Sequence, residues 1–314
     1  MVDYNPRHWT SHLFDVRNSM SHAIFGRVLL CVAWAVLVLV VHYSIASKYD
    51  RDPLTIPTTM HTLVGFALGT LLVFRTNTSY DRFWEGRKLW GGIVNESRNL
   101  ARSVTILFKD DPELIRSTLL WTMAWPHAVM HGLRGRVGLG PLVDSLPQVE
   151  VEAALTSDHV ALHVAGMMTA KLVEARDKGM ISDVVFNHLD NNIQALIDYL
   201  GGCERIKKTP LPFAYMVHIR RALILYCATL PFALVNDFGT GAVVGTFLVA
   251  YIFFGIEEIG VEIENPFEDD ENDLPLERIC QTITGNLSAM LPPAADGMTS
   301  IEPTLATLEP IGVR

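Results

Sequence analysis

The chain has 314 residues, a formal net charge of −9 and a mean hydropathy of +0.25. The acidic balance excludes the broad basic surface that neutralises nucleic-acid phosphates, and the four cysteines show neither CxxC spacing nor a disulfide framework. Because 49% of residues are hydrophobic against 19% charged, the long apolar segments decide the class of protein.

The N-terminal part of the chain leads into the first apolar segment. Residues 1–27 are polar and are predicted to form an amphipathic lead-in rather than a cleavable signal peptide. Residues 28–45 follow as the first predicted membrane span, because 18 residues at about 1.5 Å each approach the thickness of the hydrocarbon core. In the polar link 46–55, Pro53 ends any helix.

The second predicted span, 56–74, has 19 residues and no formal charge. Residues 75–102 then become dense in Arg, Asp, Glu and aromatic side chains. Gly86 is only a weak helix breaker before the pair Gly91 and Gly92. We therefore predict that one helix leaves the membrane and continues into water.

A stripe of three residues marks one face of this span. Phe66, Thr70 and Phe74 are four residues apart and share a helix face. Gly65 and Gly69 form a small-xxx-small pair beside them, which permits another helix to approach closely. Two interpretations fit. The stripe either faces lipid and packs generically, or it forms a narrow constriction of Phe and Thr rings from several copies of the helix.

A long polar section, 75–211, has helical periodicity interrupted by turn signals. Its apolar segment 119–133 is too short for a span and is predicted as a buried core helix. Further helices are predicted at 147–177 and 181–199. The turn signals in this section are Pro112, Pro126, 132–141, Pro147 and Gly201–Gly202.

Two more apolar segments predict a hairpin of spans at 213–236 and 240–256, joined by a tight turn. Basic residues concentrate in the loops on one side of the four spans, including 203–221. The positive-inside rule therefore predicts that both termini and the polar section lie in the cytoplasm. The tail 296–314 is rich in Pro and Thr and is predicted to be irregular.

Two features have the residue types of a metal site. His127 and His131, like His159 and His163, have the i,i+4 spacing of two metal ligands on one helix, but the glutamate of a metalloprotease helix is missing. The sequence contains no nucleotide-binding or nucleophile-elbow motif, and its spans hold only His42 and His61 as candidates for polar chemistry. An enzyme is therefore not predicted.

The acidic segment between Glu257 and Glu277 has ten acidic residues and no Lys or Arg. Asn265, Asp270 and Asp273 supply the hard oxygen ligands that suit Ca²⁺, although the spacing is not that of an EF-hand. The alternative is a solvated acidic face near the membrane.

Two motifs give the chain a family resemblance. FRTNTSYDRFWEGRKLWGGIVNESRNLAR and, after the last span, NPFEDDENDLPLE resemble bacterial members of the bestrophin family, and the likeness covers about residues 5–291. It implies an all-α subunit spanning residues 1–295, with the four spans above and a large cytosolic helical part formed by 75–212 and 257–295. It also implies a homopentamer around one axial pore in the inner cell membrane.

The resemblance implies roles for particular residues. Phe66, Thr70 and Phe74 match the hydrophobic neck of the pore, with Thr70 in place of the usual large hydrophobic residue. Val184 matches the second constriction, at the cytosolic end. The implied function is passive flux of small monovalent ions, with chloride and other anions favoured, gated at the neck by dewetting.

The resemblance extends to the acidic segment. Asn265, Asp270 and Asp273 match the calcium clasp of animal bestrophins, although Glu268 stands where the family pattern has Gly. No cofactor is required for the implied conduction. Because Phe rings can turn a positive edge or a negative face to an ion, a sodium channel of the same fold stays an alternative. A membrane-anchored scaffold without a pore is the other.

Overall fold

The computed structural model describes residues 20–49 and 56–293, which form helices joined by short turns without any β-strand. The predicted all-α class is therefore confirmed for this part of the chain. The beginning of the predicted lead-in, residues 1–19, lies outside the described residues, as do 50–55 of the polar link and the predicted irregular tail 296–314.

The described helices follow one another closely along the chain. They are α1 (Ser21–Tyr49), α2 (Thr58–Leu107), α3 (Pro112–Leu133), α4 (Gln148–Leu155), α5 (Val160–Asp177), α6 (Asp183–Lys208), α7 (Phe213–Phe238), α8 (Gly241–Glu262) and α9 (Leu276–Ser288), with a 3-10 helix at Gly140–Ser145.

Four of these helices, α1, α2, α7 and α8, are long and apolar enough to cross a membrane. The predicted number of four spans is confirmed. Spans 28–45 and 213–236 lie within longer helices, whereas 56–74 and 240–256 begin two residues and one residue before theirs. Helix α2 has 50 residues, so the predicted continuation of the second span into the charged region is also confirmed. Only 22–33% of the apolar windows of these helices is buried within the subunit, which leaves most of their side chains for lipid or other chains.

The chain chemistry explains where several helices start and stop. Asp111 caps α3, since its side chain accepts the Leu114 N–H at 3.0 Å, and Pro112 takes the first helical position. Helix α7 ends where Gly239 adopts φ +53°, a conformation that favours glycine, and this confirms the predicted tight turn before α8.

Several predicted turns and boundaries were wrong. Helix α3 continues through Pro126, where buried packing on both sides offsets the lost backbone hydrogen bond. The segment predicted as one helix at 147–177 is two, α4 and α5, with a break at 156–159. Helix α6 continues through Gly201–Gly202 to Lys208. A Cβ at Gly202 would lie 2.9 Å from the Leu89 side chain, so this glycine permits close packing and does not mark a turn.

The chain divides into two compact units. The described part of the first comprises residues 20–49, 56–85 and 208–274. Helices α1, α7 and α8 pack together in it, with the first part of α2. Its buried core includes Ile24, Leu68, Leu72, Leu223, Leu230 and Phe254.

The described part of the second unit comprises residues 86–207 and 275–293. Helix α3 is at its centre and packs against α5 and α9. Nearly every residue from Leu119 to Met130 is buried, which confirms the predicted core helix. The largest buried side chains of this unit include Trp90, Phe108, Trp121 and Trp125.

Candidate functional site

The predicted stripe on α2 is exposed in the subunit. Phe66 and Phe74 are 78% and 61% exposed, and Thr70 between them is also exposed. The opposite face of the helix is buried, with Leu68 and Leu72 at 2% and 1% exposure. The helix thus has one face that packs inside the subunit and one on which two phenylalanines are largely uncovered by the described residues.

Thr70 is oriented by the helix itself. Its hydroxyl donates to the Phe66 carbonyl oxygen at 2.9 Å, one turn earlier. The proton of the hydroxyl is therefore used within the helix. What Thr70 offers to its surroundings is a methyl group and an oxygen acceptor.

Helix α7 holds the buried face of α2. The Tyr215 hydroxyl donates to the Leu71 carbonyl oxygen at 3.3 Å, and His61 Nε2 lies 3.0 Å from the Thr229 hydroxyl. A Cβ at Gly65 would lie 2.6 Å from the Tyr226 hydroxyl oxygen, so glycine is needed for this approach. The predicted close approach of another helix is confirmed at Gly65 and wrong at Gly69, where a Cβ would meet nothing within 4 Å.

A buried ionic cluster, which the sequence analysis missed, follows the stripe directly. Arg75, the residue after Phe74, is 1% exposed and donates from Nη1 to Glu257 Oε1 at 2.6 Å. Arg220 Nε donates to the same oxygen at 2.9 Å, and Arg27 Nη1 lies 3.5 Å from the other. The cluster therefore ties α1, α2, α7 and α8 together at one end of their apolar segments. The sequence feature that could have indicated the cluster is a charged residue next to the apolar segment of each of these four helices.

Val184 lies in the first turn of α6 and is 78% exposed. Asp183 beside it is also exposed, while Ile181 and Leu189 on the other side of the segment are buried. Near its start the helix is held by Phe186, whose ring lies 5.3 Å from the Arg176 guanidinium carbon. Val184 is therefore exposed at the start of a helix that packing holds in position.

The acidic segment is only partly the solvated face considered above. Glu257 and Asp273 are buried at 2% and 3% exposure, so the solvated-face alternative is wrong for these two residues. Asp273 Oδ2 accepts the Asp270 N–H at 2.9 Å. Burial raises the pKa of Asp273 to about 6, and the charges of Asp270 and nearby glutamates act in the same direction.

His127 and His159, one member of each histidine pair, have other contacts. His159 caps α5, with Nδ1 accepting the Leu162 N–H at 3.2 Å and Nε2 at 2.9 Å from Glu204 Oε1. His127 is buried in the second unit near the Thr284 hydroxyl, at 3.4 Å. In residues 20–49 and 56–293 no group of three or more His, Cys, Asp or Glu is placed to hold a metal ion.

Comparison with known proteins gives a consistent result. A family model described as bacterial/fungal bestrophin protein matches residues 1–289. A voltage-dependent anion channel-forming protein of Nostoc sp. is 38% identical over 305 residues, which cover 95% of this chain and 94% of that protein. The protein of the same description from Escherichia coli K12 is 31% identical over 293 residues, covering 92% and 94%.

Solved structures agree with these sequence relatives. The crystal structure of a bacterial bestrophin homologue from Klebsiella pneumoniae matches with a TM-score of 0.79 and 30% identity. The match covers 85% of this chain and 98% of that one. The fold described above is therefore shared with an experimentally determined structure, over nearly the whole length of that protein.

Proposed function

This chain belongs to the bacterial/fungal bestrophin family, and from that premise we propose that it forms a homopentameric channel that conducts small anions across the inner cell membrane. The relatives of Nostoc sp. and Escherichia coli are described as anion channel-forming proteins, which supports the choice of ion. The proposal includes no catalytic step.

The observation that carries the proposal is the exposed stripe on α2. The stripe of a single subunit cannot enclose a pore, so a pore requires several copies around an axis. In the proposed pentamer Phe66, Thr70 and Phe74 form three rings. Each step along the helix rises about 6 Å, so the neck is roughly 12 Å long.

Gating follows from the chemistry of these rings. Two phenylalanine rings of this depth exclude water when the neck is narrow, and an ion that enters a dewetted neck loses its hydration. A small widening or rotation of α2 would therefore change conduction steeply. The lining residues need no charge for this.

Ion flux in liposomes that contain the purified protein tests the function. We expect a current whose reversal potential follows the chloride gradient when the sodium gradient is held at zero. Replacing chloride by gluconate should reduce it. Liposomes without ion flux under any gradient would contradict the channel and favour a scaffold.

A cation channel of the same fold is the second candidate, and one observation favours it. Asp81 lies on α2 seven residues after Phe74, and Asp183 precedes Val184; both are exposed. Rings of carboxylates on a conduction path attract cations. A reversal potential that follows the sodium gradient would establish this candidate and reject the first.

We propose that Val184 lines a second constriction of the same conduction path. Five small apolar side chains would make ions lose part of their hydration there. Val184→Ala should change the permeability ratios among ions of different size more than the open probability. Val149→Ala, an equally exposed valine in the same unit, is the control, and unchanged ratios in Val184→Ala would remove the residue from the path.

We also propose the acidic segment as a Ca²⁺ site. Asn265 Oδ1 is buried without a hydrogen-bond partner among the described residues, which leaves it available as a ligand in addition to the carboxylates of Asp270 and Asp273. Chelation should then lower the thermal unfolding midpoint of the protein, and Asp270→Ala should remove that effect. A midpoint that responds neither to calcium nor to chelator would contradict the site.

The proposed topology places both termini in the cytoplasm. It rests on the basic residues near one side of the spans. In a background without native cysteines, Phe238→Cys at the last residue of α7 should react with an impermeant thiol reagent on intact cells, and Glu271→Cys should not. Labelling of Glu271→Cys from outside would reverse the orientation.

A further inference from the structure

Two arginines of α2 lie on one side of that helix in the second unit. Arg98 and Arg102 are four residues apart, so their side chains are neighbours on the helix surface. Helix α9 lies beside them, because Arg98 Nε donates to Asn286 Oδ1 at 2.8 Å. All three residues belong to the described part of the second unit.

The bond to Asn286 fixes the direction of the Arg98 guanidinium group. It uses Nε and leaves both Nη groups without a hydrogen bond to any described residue. Arg102 makes neither a hydrogen bond nor an ion pair within residues 20–49 and 56–293. Two guanidinium groups, one of them held in a fixed orientation, are therefore available to an acceptor from outside these residues.

A cavity beside the two arginines has room for a ligand. Its volume is about 430 Å³, within the range of roughly 300–1,000 Å³ that is typical of small-molecule sites. The carboxamides of Asn99 and Asn286 also line it. On the α9 side Gly285 leaves open space, since a Cβ at this position would meet nothing within 4 Å.

The charge at this cavity is positive. Its lining includes the two guanidinium groups and, among the described residues, no carboxylate. The C-terminal end of α9 adds a partial negative charge, but a helix end amounts to only about half a unit charge. The carbonyl groups of Gly285, Leu287 and Ser288 in this end already accept backbone N–H groups. About one and a half positive unit charges therefore remain for a ligand.

The geometry of these donors favours an oxyanion over a single-atom ion. A guanidinium fork presents parallel N–H groups to the oxygens of a carboxylate or phosphate group. Arg98 and Arg102 are one helical turn apart, about 6 Å along the axis, so both can reach different oxygens of the same group. The carboxamide N–H groups of Asn99 and Asn286 supply further donors.

We propose that Arg98 and Arg102, together with Asn99 and Asn286, bind an oxyanion group, the phosphate or carboxylate of a ligand. The inference does not rest on the proposed conduction, because the site contains no residue of the stripe and its occupancy is measured without ion flux.

Two sources supply this chemistry. One is a free anion in solution. The other is the set of carboxylates at Asp296, Glu302 and Glu309, which follow the cavity residue Met290 in the chain and lie outside the described residues.

Inorganic phosphate is a suitable probe for the site. Isothermal titration calorimetry of the purified full chain in detergent, at constant ionic strength, should show saturable binding. Arg102→Gln should weaken the binding at least about tenfold, because one of the two charged donors is lost. Arg87→Gln removes an exposed arginine of the same helix that does not line the cavity, and its affinity should equal that of the native protein.

The space can be tested without any change of charge. Gly285→Leu places a side chain in the cavity and should abolish phosphate binding. Gly166→Leu makes the same change at an exposed glycine of α5, where a Cβ also meets nothing within 4 Å, and should retain binding.

A variant with a neutralised tail, Asp296→Asn, Glu302→Gln and Glu309→Gln, separates the two sources. If the site takes a free anion, this variant and the native protein bind phosphate equally. If the tail carboxylates occupy the site, only the variant binds phosphate, and the addition of Arg102→Gln removes that binding. An absence of phosphate binding in both proteins would overturn the inference, as would binding that survives Arg102→Gln and Gly285→Leu unchanged.

Discussion

At the scale of single residues, Thr70 sets how easily the proposed neck takes up water. The other two members of the stripe are phenylalanines, and Thr70 supplies the only oxygen between them. Its proton is bonded to the Phe66 carbonyl oxygen at 2.9 Å, so the oxygen accepts from water but donates nothing to an anion. The residue therefore assists wetting of the neck without coordinating the proposed permeant ion.

Removal of this oxygen should close the neck. We expect Thr70→Ile to lower the conductance or the open probability in bilayer recordings, because the middle ring becomes as apolar as its neighbours. Thr70→Ser retains the hydroxyl and serves as the control, with conduction near that of the native protein. Equal currents in all three proteins would place Thr70 off the conduction path.

A second residue-scale effect concerns His127 in the other unit. Burial lowers the pKa of His127 to about 4, and the charge of His131 acts in the same direction. The unfolded chain takes up this proton near pH 6.5, whereas the folded chain does so only near pH 4. The free energy of unfolding therefore falls as the pH drops from 6.5 to 4, by roughly 3 kcal/mol from this group alone.

This pH dependence can be measured by difference. We expect the thermal unfolding midpoint of His127→Gln to decrease less between pH 7 and pH 4.5 than that of the native protein. His188→Gln replaces an exposed histidine and should retain the full decrease. Identical pH profiles for the native protein and His127→Gln would show that another group is responsible.

At the scale of elements, the glycine pairs explain why two helices are longer than their turn signals suggest. A Cβ at Gly92 of α2 would lie 2.5 Å from the Tyr199 ring of α6, and one at Gly202 of α6 would lie 2.9 Å from the side chain of Leu89. Each helix thus presents a glycine to a large side chain of the other. The glycines permit close packing and do not mark turns.

This arrangement predicts opposite effects for adjacent glycines. Gly92→Ala should lower the free energy of unfolding by about 1–3 kcal/mol through overpacking against Tyr199. Gly91→Ala, one residue earlier, meets only the flexible Arg87 side chain at 3.5 Å and should raise it by up to about 1 kcal/mol. Chemical denaturation in detergent measures both, and a stabilising Gly92→Ala would show that the two helices can separate.

The spacing of apolar residues and the length of apolar segments predicted the helices better than the Gly and Pro turn signals did. The four spans, the buried core helix and the exposed stripe all follow from apolar spacing, which depends only on local sequence. The break between α4 and α5 was missed because it has no Gly or Pro. It forms through side chains, with Thr156 Oγ1 donating to the Glu152 carbonyl oxygen at 2.8 Å and His159 capping the next helix.

The ionic cluster was missed for a different reason. Arg75 and Glu257 are 182 positions apart in the chain, and no local pattern relates them. Only the folded bundle brings their helix ends together. Sequence analysis therefore predicted the exposed residues of the candidate site and not the buried ones that hold it.

At the scale of the whole molecule, the proposed assembly offers partners to exposed apolar residues. Val137, Val149, Leu162 and Val184 are 50–81% exposed in the unit that carries none of the predicted spans. In the proposed topology no lipid reaches these residues. Single exposed apolar side chains are common on protein surfaces, and in the proposed pentamer other copies of the chain are available to cover these four.

The proposed assembly gives the stripe on α2 its decisive test. Under the channel proposal Phe66 and Phe74 face the axis, so Phe66→Ala combined with Phe74→Ala should raise the conductance or the open probability in liposomes. The double variant should lose less stability than the roughly 3–5 kcal/mol that each buried phenylalanine would cost. Phe247→Ala makes the same chemical change on the exposed surface of α8, where Phe247 is 44% exposed, and should leave conduction unchanged. If the double variant instead fails to fold, and Thr70→Ile leaves flux at the native level, the stripe is a packing surface and the pore must lie elsewhere.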